Sequence, residues 1–229
     1  MTARLIGIPG SHAVAAAEAM LRHRGIAYTR RDLPNRIHRL LIRGGTVPLL
    51  FLDGERVHTT KAIARRLGFA PAPEEDWADE TLQQCVRELA QWAAKHDPQS
   101  LWSFAERSQL PFPKPLLKAM LPVLGPVIFA TIRVGDCDAR RRLSELRLHL
   151  DHADDLIARG VIGGPEPNAT DFQVAASVRL ALLFDDLRPA IEPRPAGQLA
   201  LRLVPDYPGR FAPVFPADWS AAQEASSPR

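Results

Sequence analysis

The chain has 229 residues, of which 46% are hydrophobic and 24% are charged, and its formal net charge is +3 at pH 7. This composition supports a substantial core in one large or two small domains, and it excludes a disordered tail. Basic residues are interspersed with acids along most of the chain, so the charge does not favour a nucleic-acid-binding protein. The basic run at residues 140–142 is interpreted as a solvated helix face.

The cysteines and the most apolar segment argue against three further protein classes. Cys85 and Cys137 lie far apart and outside any metal-ligand spacing, so we expect neither a disulfide framework nor a metal site. The N-terminus shows no signal pattern, which favours a reducing, cytoplasmic location. Residues 120–132 are too few to span a membrane and are interrupted by prolines and a glycine. They predict a buried helix, with a lipid-touching patch as the alternative and no membrane partner.

The first 70 residues alternate short apolar runs with helical segments. The predicted elements are, in chain order, a strand (residues 4–8), a helix (11–24), a half-buried strand (26–33), a short helix or irregular turn (35–43), two strands (46–52 and 55–59) and a helix (60–67). Gly25 and Gly68 are typical helix-ending residues, and Asp53-Gly54 favours a tight hairpin turn. The predicted order is therefore β-α-β-α-β-β-α.

The rest of the chain has a helical pattern. We predict a first domain at residues 1–72, a proline-rich acidic linker at 73–82 and an all-helical domain at 83–229. Residues 168–184 are apolar on nearly every side, which predicts the central helix of that second domain. Asn168 and Asp171 have the spacing of a capping box at its start.

Three places in the first domain carry a resemblance to a known family. Val47-Pro48 opens the third strand, where a cis X-Pro bond fits, with a trans proline on an edge strand as the alternative. The stretch GIPGSHAVAAAEAML, followed by RGIAY, contains Ser11 at the start of the first helix, and Thr59-Thr60 precedes the third helix. In this order and spacing they resemble the cytosolic glutathione transferases, as a serine-type or atypical member. The resemblance implies an α/β plus all-α fold, with a thioredoxin-like N-terminal domain and a C-terminal helical bundle.

The resemblance places Ser11 at the family's catalytic position. A hydroxyl at a helix N-terminus can donate a hydrogen bond to a thiolate, while the helix dipole favours the anion and lowers the thiol pKa. The alternative is that Ser11 serves only as an N-cap. His12 is a candidate for contact with glutathione, with an exposed first-turn residue as the alternative.

The resemblance also implies how glutathione is bound. Val47 and Pro48 would pair with its backbone, and Thr59 and Thr60 stand where the family has an acid and a serine. Thr60 can still bind a carboxylate at a helix N-terminus, but Thr59 lacks the charge that pairs with an ammonium group. There are three explanations. Another acid, including one from a partner subunit, pairs with the ammonium group in place of residue 59; the physiological thiol differs from glutathione; or the chain is not catalytic. These three explanations stay open.

We therefore predict a thiol transferase that conjugates glutathione, its cosubstrate, to a small hydrophobic electrophile in a cleft between the domains, without a metal. The alternative is a non-catalytic ligand-binding or scaffold protein with the same fold, and a glutathione-dependent reductase or isomerase is a third reading. Trp102 and Phe104 are candidates for the cleft wall, and His38 or Arg43 for binding the glycyl carboxylate. The family also implies a homodimer, while the cysteine usage favours the cytoplasm and the charge pattern argues against a nucleic-acid partner.

Overall fold

The computed structural model describes residues 2–34, 42, 46–130 and 132–219, except for the side chains of residues 127 and 128. The strands are Ala3–Gly7 (β1), Tyr28–Asp32 (β2), Leu49–Leu52 (β3) and Glu55–His58 (β4). The helices are His12–His23 (α1), Thr60–Arg66 (α2), Gln83–His96 (α3), Ser100–Ala105 (α4), Lys114–Phe129 (α5), Asp136–Ala158 (α6), Ala169–Ala181 (α7), Arg188–Ile191 (α8) and Pro195–Leu203 (α9). The short helix or turn predicted at residues 35–43 lies, apart from Ile42, outside the described residues.

The four strands form one mixed sheet in the order β2-β1-β3-β4. β1 pairs with β2 in parallel, as a strand–helix–strand crossover requires, and β3 pairs antiparallel with both β1 and β4. The β3–β4 turn has Asp53 at φ 49° and Gly54 at φ 87°, the positive values that the Asp-Gly signal predicts. This is the thioredoxin-like topology predicted for the first domain.

The register of the sheet determines which residues meet at its functional end. Ile6 of β1 lies opposite Leu49 of β3, and Leu49 lies opposite His58 of β4. The last residues of β1, the first residues of β3 and the last residues of β4 therefore lie at the same end of the sheet. The loop that leads to Ser11 and the segment that follows His58 both leave the sheet at that end.

Helix α7 is the centre of the second domain, as its sequence predicts, and every one of its residues is buried. It packs against α1 and α2 of the first domain and against α3 and α9 of the second. The predicted capping box is present. Asn168 Oδ1 accepts hydrogen bonds from the amides of Thr170 and Asp171, and Asp171 Oδ2 accepts one from the Asn168 amide at 2.9 Å.

An aromatic contact joins the two domains. The ring of Phe69, just after α2, meets Phe172 of α7 edge-on with centroids 5.0 Å apart. The guanidinium of Arg24 lies 4.1 Å above the centre of the Phe69 ring and donates hydrogen bonds to the carbonyl oxygens of Leu67 and Gly68. The end of α1, the end of α2 and the central helix are thereby held together.

The region predicted as a linker is partly helical. A π-helical turn, Trp77–Leu82, leads without a break into α3, and the sequence WADETL contains no glycine or proline that would stop it. The helical part of the chain thus begins before residue 83, while the domain boundaries themselves stay a prediction.

The prediction of a buried helix at residues 120–132 is wrong in one respect. The segment lies mostly in α5, but Val123 is 72% exposed and Leu124 is 39% exposed. Among the other helices α5 packs chiefly against the short α4, so its apolar residues, which point in all directions, cannot all be covered. Among the described residues, no helix combines the length and the apolar character that crossing a bilayer requires.

Candidate functional site

A cavity of about 950 Å³ lies beside the N-terminus of α1. Its walls come from the loop before α1, one face of α3, helices α4 and α5, and residues 132–134. Most of the lining side chains are apolar, and the volume falls within the usual range for small-molecule sites. The predicted site residues Ser11, His12 and Val47 lie together on this wall.

Ser11 is the N-cap of α1, and its conformation explains how it can serve two roles. Its backbone is extended, with φ −77° and ψ 115°, and Oγ accepts a hydrogen bond from the Val14 amide at 3.4 Å. Because that bond uses only an oxygen lone pair, the hydroxyl proton remains available to an acceptor in the cavity. Ser11 is thus both a helix cap and a cavity donor at the positive end of the helix dipole.

Gly10 allows the loop to place Ser11 on the cavity wall. Its φ is 72°, which favours glycine, and a Cβ atom added there would lie 2.7 Å from the ring of Phe104. Phe104 itself lines the cavity, as predicted, whereas Trp102 does not and instead lies beneath the ammonium group of Lys118. One of the two expected wall residues is therefore in place.

Tyr207 braces the same loop, and sequence reasoning missed it. Its hydroxyl donates a 2.8 Å hydrogen bond to the carbonyl oxygen of Gly10. Its side chain is buried, and burial raises the pKa of the phenol well above its usual value, so it remains a neutral donor. The stretch VPDYPGRF offers one signal, a tyrosine between prolines, but nothing local to show what it contacts.

His12 is buried, with 5% of its surface exposed, so the alternative of an exposed first-turn residue is wrong. Burial, with a smaller effect from the positive charge of Arg87, lowers the pKa of His12 to about 3. The imidazole is therefore neutral at physiological pH. Its Nε2 atom has no hydrogen-bond partner within the described part of the chain.

The other three predicted residues, Pro48, Thr59 and Thr60, belong to the same end of the sheet as the Ser11 loop but do not line the cavity. The Val47-Pro48 peptide bond is cis, as predicted; Val47 lines the cavity, and Pro48 does not. Thr59, with φ 68° and ψ 150°, caps α2 by accepting a hydrogen bond from the Ala62 amide. Thr60 is only 3% exposed.

Helices α3, α4 and α5 form walls of the cavity and α2 does not, so Thr59 and Thr60 stand apart from it. His38 and Arg43, the candidates for binding a carboxylate, lie outside the described residues. The role of these four residues in binding glutathione stays a prediction.

Among the described residues, the tertiary structure brings together one group of metal-ligating side chains that the sequence spacing did not indicate. Donor atoms of Cys85, Glu145 and His149 lie within 4.8 Å of one another. The Cys85 thiol, however, donates a hydrogen bond to the carbonyl oxygen of Arg142, and burial raises its pKa to about 12. The Arg142 guanidinium also pairs with Glu145 at 2.6 Å, so a positive charge already occupies the cluster. These contacts explain the cluster as part of the α3–α6 packing.

The chain was compared with known proteins. No family model and no curated protein matches it. Among solved structures, the β-etherase LigF from Sphingobium sp. strain SYK-6 has a TM-score of 0.53 and 15% identity, covering 88% of this chain and 99% of that one. A glutathione S-transferase of Methylobacterium radiotolerans, in complex with glutathione sulfonate, has a TM-score of 0.52 and 14% identity, covering 89% and 90%.

A third structure agrees with these two. The glutathione S-transferase CsGST63524 of Ceriporiopsis subvermispora, in complex with glutathione, has a TM-score of 0.51 and 17% identity, covering 89% of this chain and 96% of that one. At such identities the likeness concerns the arrangement of the backbone. It agrees with the mixed four-stranded sheet and the helices that follow. The chain therefore has the fold of the glutathione S-transferases, a thioredoxin-like domain followed by a helical domain.

Proposed function

We propose that the protein is a glutathione, or related thiol, transferase that joins the thiol to an apolar electrophile in the cavity beside α1. The observation that carries the proposal is the position of Ser11. Its hydroxyl lies at the N-terminus of a 12-residue helix and on the wall of a mainly apolar cavity of about 950 Å³. That volume has room for a peptide thiol and a second, apolar reactant.

In this proposal Ser11 stabilises negative charge on sulfur. Glutathione supplies the nucleophilic thiol. The Ser11 hydroxyl donates a charge-assisted hydrogen bond to the sulfur anion, and the free amides at the start of α1 favour the same charge. The thiol loses its proton to solvent, the carbon–sulfur bond forms, and the leaving group departs with its electron pair. The rate increase comes from a lower thiol pKa and from holding the two reactants together.

Two observations set the expected strength of glutathione binding. The two transferases compared above were solved with glutathione or its sulfonate, which supports a thiol of this kind for the shared fold. Thr59, however, provides no negative charge for an ammonium group. Replacing a charge-assisted hydrogen bond by a neutral one costs roughly tenfold in affinity. We accordingly expect glutathione to bind weakly.

The family resemblance also leads us to propose a homodimer, in which the first domain of one copy packs against the helical domain of the other. Light scattering on the purified chain measures this directly. A monomeric mass at micromolar concentration contradicts it.

The second candidate is a non-catalytic binding protein, and one observation favours it. Thr59 uses its hydroxyl oxygen to cap α2, and Thr60 is almost wholly buried, so neither side chain lines the cavity. This candidate predicts that apolar molecules bind while glutathione does not bind saturably. It also predicts no functional effect of Ser11→Ala.

The test is glutathione titration by calorimetry, followed by conjugation assays with a nitro-substituted aryl chloride. We expect saturable binding in the millimolar range or tighter. Ser11→Ala should raise the pKa of the bound thiol, read from thiolate absorbance, and lower kcat about tenfold or more. Ser11→Thr keeps a hydroxyl and should retain most activity, and Ser144→Ala on the exposed face of α6 is the control. Absence of binding at millimolar glutathione rejects the transferase in favour of the binding protein.

A further inference from the structure

Two arginines line the cavity without an acidic partner among the described residues. Arg87 belongs to α3 and Arg133 to the segment between α5 and α6, and both side chains are exposed. The cavity wall has one carboxylate, Glu88, within the described parts of the chain. It is already engaged, because Arg142 donates a hydrogen bond to it at 2.7 Å. Arg87 also acts electrostatically on Glu88, so among the described residues the wall has two positive charges facing one carboxylate that Arg142 already binds.

Other arginines of the chain show how this differs from the usual arrangement. Arg30, Arg142 and Arg194 each hold two carboxylates. A guanidinium has only donors, in a planar fork that fits a carboxylate, and a cavity with apolar walls strengthens its field. Arg87 and Arg133 have the same donors but form no ion pair with a carboxylate within the described residues.

Two helices line the cavity with different kinds of side chain. Helix α3 contributes four polar residues; Glu88 is held by Arg142, and the other three follow at four-residue intervals along one face of the helix: Gln83, Arg87 and Gln91. Helix α5 contributes an apolar stripe with helical spacing: Leu117, Met120, Leu121 and Leu124. A ligand that matches both sides needs an apolar body and a charged end.

We infer that the acceptor side of the cavity takes an apolar molecule bearing a carboxylate, which Arg87 and Arg133 hold while α5 covers its apolar body. The inference rests on the proposed function in that it takes this cavity as the acceptor site. The competing explanation is that the two arginines bind the carboxylates of glutathione itself. The experiment must therefore measure the two ligands separately.

The test uses two fluorescent probes with the same apolar body, pyrenebutyric acid and pyrenebutanol, titrated into the full-length protein without glutathione. We expect the acid to bind about tenfold more tightly than the alcohol, because a charge-assisted hydrogen bond is replaced by a neutral one. Arg87→Gln and Arg133→Gln should each reduce this preference, and the double variant should abolish it. The affinity for the alcohol should not change. Added salt should weaken acid binding only.

The control is Arg140→Gln, which removes the same charge from an exposed position of α6 outside the cavity wall. It should keep the wild-type preference. Equal binding of the two probes to the wild type, or a preference that survives the double variant, overturns the inference. A double variant that loses glutathione affinity but still binds the acid more tightly than the alcohol also overturns the inference, because the arginines then bind glutathione itself. If the protein binds no glutathione but prefers the acid through the two arginines, the proposed transferase activity is rejected and the inference of a carboxylate-bearing ligand is supported.

Discussion

The hydroxyl of Tyr207 donates a hydrogen bond to the carbonyl oxygen of Gly10, a residue 197 positions earlier in the chain. Gly10 immediately precedes Ser11, so the C-terminal segment holds the loop that presents the candidate catalytic hydroxyl. Phe104 of α4 packs against the same glycine. The Ser11 loop is therefore fixed by contacts from the second domain as well as by its own helix.

Tyr207→Phe should loosen this loop while leaving the packing of the ring intact. We expect a loss of about 1 kcal/mol in the free energy of unfolding, because a partly buried carbonyl oxygen loses its donor. Urea unfolding measures the loss, and glutathione affinity should fall with it if the loop positions Ser11.

The matched control is Tyr28→Phe, since the Tyr28 hydroxyl donates to the Glu18 carboxylate and is only partly buried. That substitution removes a hydrogen bond far from Ser11 and should leave glutathione affinity unchanged. An equal effect of both variants on affinity would contradict a positioning role for Tyr207.

His12 makes the stability of the fold depend on pH. Its pKa is lowered from 6.5 to about 3 in the folded protein, so below pH 6.5 the unfolded chain takes up a proton that the folded chain does not. The stability due to neutral His12 is present above pH 6.5 and is lost as the pH falls toward 3. The slope approaches about 1.4 kcal/mol per pH unit.

His12→Gln should remove this contribution, so its free energy of unfolding should fall less steeply between pH 6.5 and 4 than that of the wild type. Urea unfolding at several pH values measures the difference. Ser144→Ala, at an exposed position of α6, changes no titrating group and should keep the wild-type slope. Parallel slopes for the wild type and His12→Gln would show that His12 is not held neutral.

Thr59 adopts a backbone conformation that a β-branched residue rarely takes, with φ 68° and ψ 150°. Thr59→Gly should stabilise the protein by about 1 kcal/mol, because relief of the backbone strain exceeds the few tenths lost at the cap. Thermal unfolding checks this. Asn168→Gly makes a similar exchange at the α7 cap, where φ is −100°, and should destabilise. A lower melting temperature for Thr59→Gly than for the wild type would show that backbone strain at Thr59 does not outweigh its capping bond.

Thr59→Glu tests the missing charge. If Thr59 occupies the place of the family's acid, the new carboxylate should tighten glutathione binding about tenfold, measured by calorimetry. Thr59→Gln has nearly the same shape without the charge and should have little effect. Equal affinities for the two variants would mean that position 59 does not face the ammonium group.

The two cysteines should differ in reactivity. Cys85 is fully buried and burial raises its pKa to about 12, whereas Cys137 is exposed. A thiol-specific colorimetric reagent should react with one thiol in the native protein and with two in denaturant. Cys137→Ser should abolish the native reaction, and a residual native signal would show that Cys85 is accessible.

The elements that the sequence predicted are those with local signals. Ser11 before an alanine-rich helix, Asp53-Gly54 between two apolar runs and Asn168 three residues before Asp171 each specify their structure through neighbouring residues. The burial of His12 and the bond from Tyr207 depend instead on segments far apart in the chain. No pattern around either residue could reveal them.

The exposed face of α5 shows the same limit. Its apolar composition predicted burial, which requires other helices on every side, but the number of neighbours is a property of the tertiary structure. For the same reason, nothing in the sequence around Arg87 and Arg133 distinguished them from other arginines. Only the cavity shows that they share a wall.

Helix α7 has no side that faces water, and it touches helices on both sides of the domain boundary. If either domain unfolded alone, α7 would lose its contacts with that domain and part of its apolar surface would become exposed to water. On heating, the protein should accordingly melt in a single step, and damage to any residue of α7 should destabilise the first and the second domain together.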